Sequence, residues 1–101
     1  MAVTYSDHVL ADLDRILKAI SKRSRAGAKR VSLAIERTVE LCGDYPFMFA
    51  LTAKGQIRRC PVAKFRYTVY FRLDKSSGDI EIARIVHSSR VKNLKRMPKA
   101  V

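Results

Sequence analysis

The sequence predicts an α+β domain in which an N-terminal helical hairpin packs on a small, mainly antiparallel β-sheet. Apolar residues recur at helical spacing in the first half of the chain, whereas in the second half they alternate with polar residues as strands do. The chain has 101 residues, 48% of them hydrophobic, which suits one domain with one core. We expect a single domain over residues 1–90 and a basic C-terminal tail over 91–101.

The first helix is predicted from Asp7 to about residue 23. Ser6 precedes it as a typical N-cap, and the Asp7 carboxylate complements the helix dipole in the first turn. Between Val9 and Ile20 the apolar positions follow one face of a helix. A short strand over residues 2–5 is expected to precede this helix.

The second helix is predicted from an apolar stripe over residues 28–42. Gly43 is expected at the C′ position, with Pro46 beyond it as a further stop signal. The basic side chains around the junction of the two helices are interpreted as a solvated turn: Lys22, Arg23, Arg25, Lys29 and Arg30. Residues 44–53 are apolar without a clear period and are expected to form a loop that packs on the sheet.

Three strands are predicted, over residues 56–62, 65–73 and 79–87. The middle run alternates apolar and polar side chains most regularly. The Asp, Ser and Gly residues at 74–79 predict a hairpin turn, so the last two strands should pair antiparallel. The final run is apolar enough for a central strand that is covered on both faces.

The charge of the chain lies mainly in its second half. Residues 1–50 contain eight Lys and Arg against six Asp and Glu, net +2, whereas residues 51–101 contain thirteen against three, net +10. Such a field favours an acidic or polyanionic partner. The two cysteines, Cys42 and Cys60, are too few for a disulfide framework and are expected to be reduced core residues. Because no leader or membrane-spanning run is evident, we expect a cytoplasmic protein that does not bind membranes.

Metal or carboxylate catalysis has little support in the sequence. The only histidines, His8 and His87, lack partners at ligand spacing. The first helix carries Asp7, Asp12 and Asp14, which are interpreted as surface charges. Since no glycine-rich phosphate loop occurs either, we expect no metal, no cofactor and no carboxylate acid–base pair.

A cationic cluster on or near the strands is the remaining candidate site. Alternation puts Arg58 and Arg59 on opposite faces of their strand, so only one of them can share a surface with Arg84. Guanidinium groups there would bind phosphates, stabilise a transition state of RNA cleavage, or pair with acidic side chains of a protein partner. Phe47 and Phe49, in the apolar loop, are expected to be exposed hydrophobic side chains that a binding partner would bury.

The segment RRCPVAKFRYTVYFRLDKSSGDIEIARIVHSSR resembles the ParE branch of the RelE/ParE superfamily of bacterial type II toxins. That branch has a strand with an arginine, a strand of the form Y-x-V-Y-F/Y, a hairpin, and an apolar strand ending R-I-x-H-x-x-R. The residues that match the middle strand are Tyr67, Val69, Tyr70 and Phe71. The residues that match the last element are Arg84, Ile85, His87 and Arg90.

The resemblance implies the RelE/ParE-like toxin fold and a non-enzymatic toxin that inhibits DNA gyrase. It also implies a cognate, acidic, ParD-like antitoxin that neutralises the toxin by covering its apolar and basic surfaces. The residues expected to contact the target or the antitoxin are Arg59, Arg66, Arg84, His87, Arg90, Phe47 and Phe49.

Two other functions remain open at this point. The first is a RelE-like, ribosome-dependent endoribonuclease of messenger RNA, with its catalytic groups drawn from Arg59, Arg66, Arg84, His87 and Arg90. Against it, Tyr67 occupies the position of the middle-strand arginine of those enzymes, and no Tyr, His or Glu follows Arg90. The second is a basic RNA-binding accessory protein without toxicity.

Overall fold

A computed structural model describes residues 2–88 and confirms the predicted α+β architecture. The elements in chain order are β1 (Val3–Tyr5), α1 (Asp7–Ser21), α2 (Arg25–Asp44), a 3-10 turn (Pro46–Met48), β2 (Ile57–Pro61), β3 (Tyr67–Leu73) and β4 (Ile80–His87). The four strands form one sheet in the order β1-β4-β3-β2. β1 runs parallel to β4 and the other pairs are antiparallel, so β4 is a central strand as predicted.

Both helices begin where a serine caps them. The Ser6 hydroxyl accepts a hydrogen bond from the Val9 amide at 3.1 Å, and the Ser24 hydroxyl accepts one from the Gly27 amide at 2.9 Å. Each bond satisfies an amide that has no partner inside the helix. α1 ends at Ser21, two residues before the expected boundary, and α2 begins three residues earlier than its apolar stripe.

Gly43 does not have the role that the sequence suggested. α2 continues through Asp44, so Gly43 lies inside the helix and is buried. A Cβ atom at this position would lie 3.2 Å from Cγ2 of Val3. The missing side chain therefore lets β1 approach α2, and the expectation of a helix-ending glycine was wrong.

The core lies between the helices and one face of the sheet. α2 contributes Val31, Ile35 and Val39, which pack with Val69 and Ile85 among the strand residues. Cys42 and Cys60 are free thiols in the same core, as predicted. The adjoining Cys60 thiol, together with burial, raises the pKa of Cys42, so this side chain is a neutral thiol.

The outer edge of β2 is partly covered by the chain that precedes it. The Thr52 amide donates to the Ile57 carbonyl at 2.8 Å, and the Arg59 amide donates to the Ala50 carbonyl at 3.1 Å. Two residues after Arg59 the next outward-facing position is Pro61, which has no amide hydrogen. Along this edge the Ile57 carbonyl and the Arg59 amide thus already have partners, and Pro61 has no N–H to donate.

Candidate binding surfaces

Asp12 is a buried hub that joins α1 to β4. Its carboxylate accepts two hydrogen bonds from the Arg84 guanidinium, at 2.6 and 2.9 Å, and one from the Ile85 amide at 3.0 Å. Arg15, one turn along α1, donates a further bond at 3.0 Å. Asp12 is 1% exposed, so the expectation that it is a surface charge was wrong.

The topology of the sheet explains why Asp12 is needed. β1 pairs with β4 over Ile80–Ile82, so on this side of β4 no strand of the described chain reaches Ile85. Ala83 is an extra residue in β4, a bulge in its pairing with β3. The Asp12 carboxylate accepts the hydrogen bond of the Ile85 amide, which a further strand would otherwise accept.

The ionisation of Asp12 follows from these contacts. Burial alone would raise the pKa of Asp12, but the hydrogen bonds from Arg84, the Ile85 amide and Arg15 outweigh it and hold the pKa below its usual value. Asp12 is therefore a carboxylate at neutral pH. It neutralises Arg84, which the sequence had placed among the contact residues for a partner.

The face of the sheet opposite the helices carries a small apolar cluster of Ile57, Tyr70 and Ala83. Arg59 lies two residues after Ile57 on β2, so both side chains are on this face, and Arg59 is an exposed cation there. Burial raises the pKa of Tyr70, and the positive charge of Arg59 partly offsets that rise. Tyr70 is 0% exposed, and its hydroxyl has no hydrogen-bond partner among residues 2–88.

Replacing Tyr70 with phenylalanine is expected to raise the free energy of unfolding by about 1 kcal/mol, because a buried hydroxyl without a partner costs desolvation energy. Urea denaturation followed by circular dichroism measures this. Tyr45→Phe is the matched control, since Tyr45 is exposed and its hydroxyl remains solvated. A lower stability for Tyr70→Phe would contradict the prediction.

The other basic residues expected at the site are spread over the molecule. His87 pairs with Tyr67 across the strands, on the helix side of the sheet, and the two rings meet edge to face with centroids 5.5 Å apart. Arg66 is exposed just before β3. Arg90 lies outside the described residues. Within residues 2–88, Arg59 and His87 therefore lie on opposite faces.

The two phenylalanines of the apolar loop differ in their surroundings. Phe47 is 68% exposed, and the Arg58 guanidinium lies 5.2 Å from the centre of its ring. Arg58 also donates a 2.7 Å hydrogen bond to the Phe49 carbonyl, which fixes the loop against β2. The Phe49 ring is half-buried and meets Phe71 edge to face at 6.0 Å. Phe47 is thus available at the surface, whereas Phe49 packs on the core.

A groove of about 550 Å³ between α2 and β2 is an additional candidate surface. Its apolar lining includes Leu33 and Leu41 from α2 and Phe65 from the turn after β2. Arg30, Arg37 and Lys64 form its basic rim. The groove therefore fits an amphipathic segment with apolar and acidic side chains.

The groove was not predicted from the sequence, because only the buried apolar stripe of α2 was used to predict that helix. Leu33 and Leu41 lie eight residues apart, beside that stripe, and are 43% and 40% exposed. Two leucines on one flank of a helix, with Arg30 and Arg37 interleaved, were a signal in the sequence of a second apolar face.

Neither a metal site nor a membrane-spanning helix occurs in the described part of the chain. Across residues 2–88, His, Cys, Asp and Glu side chains do not gather in groups of three or more that could hold a metal ion. No helix there combines the length and apolar character needed to cross a membrane.

Comparison with known proteins gives a consistent family and fold. No curated protein resembles the sequence closely enough to count as a relative. A solved structure of the chromosomal ParDE TA system from P. aeruginosa has a TM-score of 0.73 and 19% sequence identity, covering 86% of this chain and 95% of that one, which supports the fold. The model of the family described as the ParE toxin of type II toxin-antitoxin system, parDE, matches residues 3–92. This match spans most of the chain, so the protein belongs to the ParE toxin family of type II toxin–antitoxin systems.

Proposed function

We propose that the protein arrests growth by binding and inhibiting DNA gyrase in the cytoplasm, and that a cognate acidic antitoxin neutralises it. The observation that carries this proposal is the match to the ParE toxin family over residues 3–92. Gyrase inhibition is what the resemblance to that branch implies. The architecture supports a protein that acts by contact with another macromolecule.

The positions of the basic residues favour binding over RNA cleavage. General acid–base or electrostatic catalysis needs its groups to converge on one scissile bond. The guanidinium of Arg84 is occupied by Asp12 at 2.6 Å, and Arg59 and His87 lie on opposite faces of the sheet. These three residues of the alternative nuclease set do not converge within the described chain.

The groove between α2 and β2 supports an antitoxin as the second partner. Its floor is apolar and its rim holds Arg30, Arg37 and Lys64, which complement the acidic face of an amphipathic helix. We propose that a helical segment of the antitoxin lies there. Phe47, exposed beside Arg58, remains available for a further contact with the target or the antitoxin.

Purified protein is expected to inhibit the supercoiling of relaxed plasmid by gyrase, in proportion to its concentration. Induced expression should halt growth with filamentation and DNA-damage signalling. The small acidic protein encoded beside the gene should co-purify with the toxin and restore both supercoiling and growth. The measurements are gel-resolved topoisomers and colony counts.

Other results would point to one of the two alternatives. Rapid cleavage of translated messages after induction, lost on Arg90→Ala, would replace the proposal with the nuclease. Normal growth together with unimpaired gyrase would favour the accessory RNA-binding protein. Absence of an acidic neighbour would contradict the proposed antitoxin.

A further inference from the structure

The tip of the α1–α2 hairpin carries a concentration of positive charge. It consists of five exposed cations, here called the tip cluster: Lys22, Arg23, Arg25, Lys29 and Arg30. Residues 22–30 contain no acid. The nearest preceding carboxylate in the sequence, Asp14, pairs with Lys18 at 3.1 Å, and none of the five cations forms an ion pair with another described residue.

Part of this charge is placed where it opposes helix formation. Arg25 and Lys29 stand four residues apart at the start of α2, an arrangement in which like charges repel. The first turn of α2 holds no acidic residue, and the positive end of the helix dipole disfavours cations there. A partner that neutralises the cluster would remove both penalties.

The composition of the tip narrows the chemistry of that partner. Residues 21–30 contain no apolar side chain larger than alanine, so the tip lacks the buried anchors of a protein-interface core and the apolar face of an amphipathic membrane-bound helix. Residues 6–44 contain no Phe, Tyr or Trp, so the hairpin offers no ring on which single-stranded bases could stack. Phosphate groups remain as the ligand that arginine and lysine bind without apolar or stacking contacts.

We infer that the tip cluster binds the phosphate backbone of duplex DNA without sequence preference. Recognition of duplex RNA uses 2′-hydroxyl contacts across about 16 base pairs, a larger footprint than a tip of nine residues. Contact with DNA phosphates needs only cations, which release condensed counterions on binding. The inference is independent of the proposed action on gyrase, because the tip includes neither the apolar loop nor the sheet. Of the five cations, Arg30 also lines the groove between α2 and β2, and the other four do not.

Fluorescence anisotropy with a labelled 20-base-pair DNA duplex tests the inference on the full chain. If the five cations contact phosphates, affinity should fall about 500-fold between 50 and 200 mM salt, with a log–log slope near −4.5. A tip variant with all five cations changed to glutamine should lose about four units of that slope.

A charge-matched control is available in the sequence. The tail variant changes the four cations of the tail, together with exposed Lys75 from the turn after β3, to glutamine, so that each variant lowers the formal charge from +12 to +7; the four are Lys92, Lys95, Arg96 and Lys99. The tail variant should keep the affinity and slope of the unchanged protein within about three-fold, as expected if phosphate contacts are confined to the tip. Equal losses in both variants would mean that net charge alone causes binding and would overturn the inference.

Two further measurements complete the test. The melting temperature of the tip variant should equal or exceed that of the unchanged protein, because the repulsion between Arg25 and Lys29 is gone. A lower melting temperature would assign the cluster to folding instead. Tighter binding to single-stranded DNA or to an RNA duplex of the same length would contradict the assignment to duplex DNA.

Discussion

Replacing Asp12 with alanine is expected to lower the free energy of unfolding by about 3–5 kcal/mol, because it leaves the partly buried Arg84 charge without its partner. The change also removes the carboxylate that accepts the hydrogen bond of the buried Ile85 amide. The free energy of unfolding of a domain of this size is roughly 5–15 kcal/mol, so the expected loss is a large share of the total stability.

Urea denaturation of Asp12→Ala beside Asp14→Ala measures this effect. Asp14 is the matched control because it lies on the same helix but is exposed, and its ion pair with Lys18 is worth roughly 0–1 kcal/mol. A loss in Asp12→Ala no larger than that in Asp14→Ala would show that the buried contacts do not stabilise the fold.

The pH dependence provides a second readout. The pKa of Asp12 is lowered in the folded state, so its stabilisation is present above the ordinary carboxyl pKa of about 3.9 and is lost as pH falls through the lower, folded value. Asp12→Asn should therefore flatten the loss of stability below about pH 4. An unchanged acid profile would argue against a depressed pKa at this residue.

Placing a glutamate at both Leu33 and Leu41 is expected to weaken binding of the cognate acidic antitoxin by about 100-fold or more. Each change removes an apolar contact from the groove and sets a negative charge against an acidic partner. Both leucines are exposed in the free protein, so the fold should persist. Isothermal titration with the purified neighbouring acidic protein measures the affinity.

Leu10→Glu is the control for this prediction. Leu10 is 52% exposed on α1 and does not line the groove, so its substitution places one of the two added charges of the groove variant at a comparable leucine elsewhere. In cells, the groove variant should stay toxic when the antitoxin is co-expressed, whereas Leu10→Glu should be rescued. Tight antitoxin binding by the groove variant would place the antitoxin on another surface.

The local signals in the sequence were sufficient for most of the fold. Ser6, with an acid after it and an apolar stripe behind it, located the start of α1 within one residue. Alternation from Tyr67 to Leu73 located β3, and the turn residues at 74–79 set its antiparallel pairing with β4. These features depend on residues that are close together in the sequence, so the spacing of apolar and polar residues is enough to predict them.

Features that depend on distant contacts were not predictable in the same way. Asp12 lies on α1 beside Asp14, and nothing in its local pattern distinguishes a carboxylate that meets Arg84, 72 residues away, from a solvated one. Gly43 has the sequence context of a helix stop, and only the approach of Val3 reveals its other role. Contacts between residues far apart in the sequence determine the roles of both Asp12 and Gly43.

Strand addition, by which many extended peptides lengthen a sheet, needs a row of free backbone donors and acceptors. Along β2 this row is interrupted, because Pro61 has no N–H, the Arg59 amide already donates to Ala50, and the Ile57 carbonyl already accepts from Thr52. We therefore expect a ligand of the neighbouring groove to bind mainly through its side chains. Peptide inhibitors aimed at this protein should accordingly be built as stapled helices with an acidic flank, since a β-hairpin mimetic would find only an interrupted row of backbone groups there.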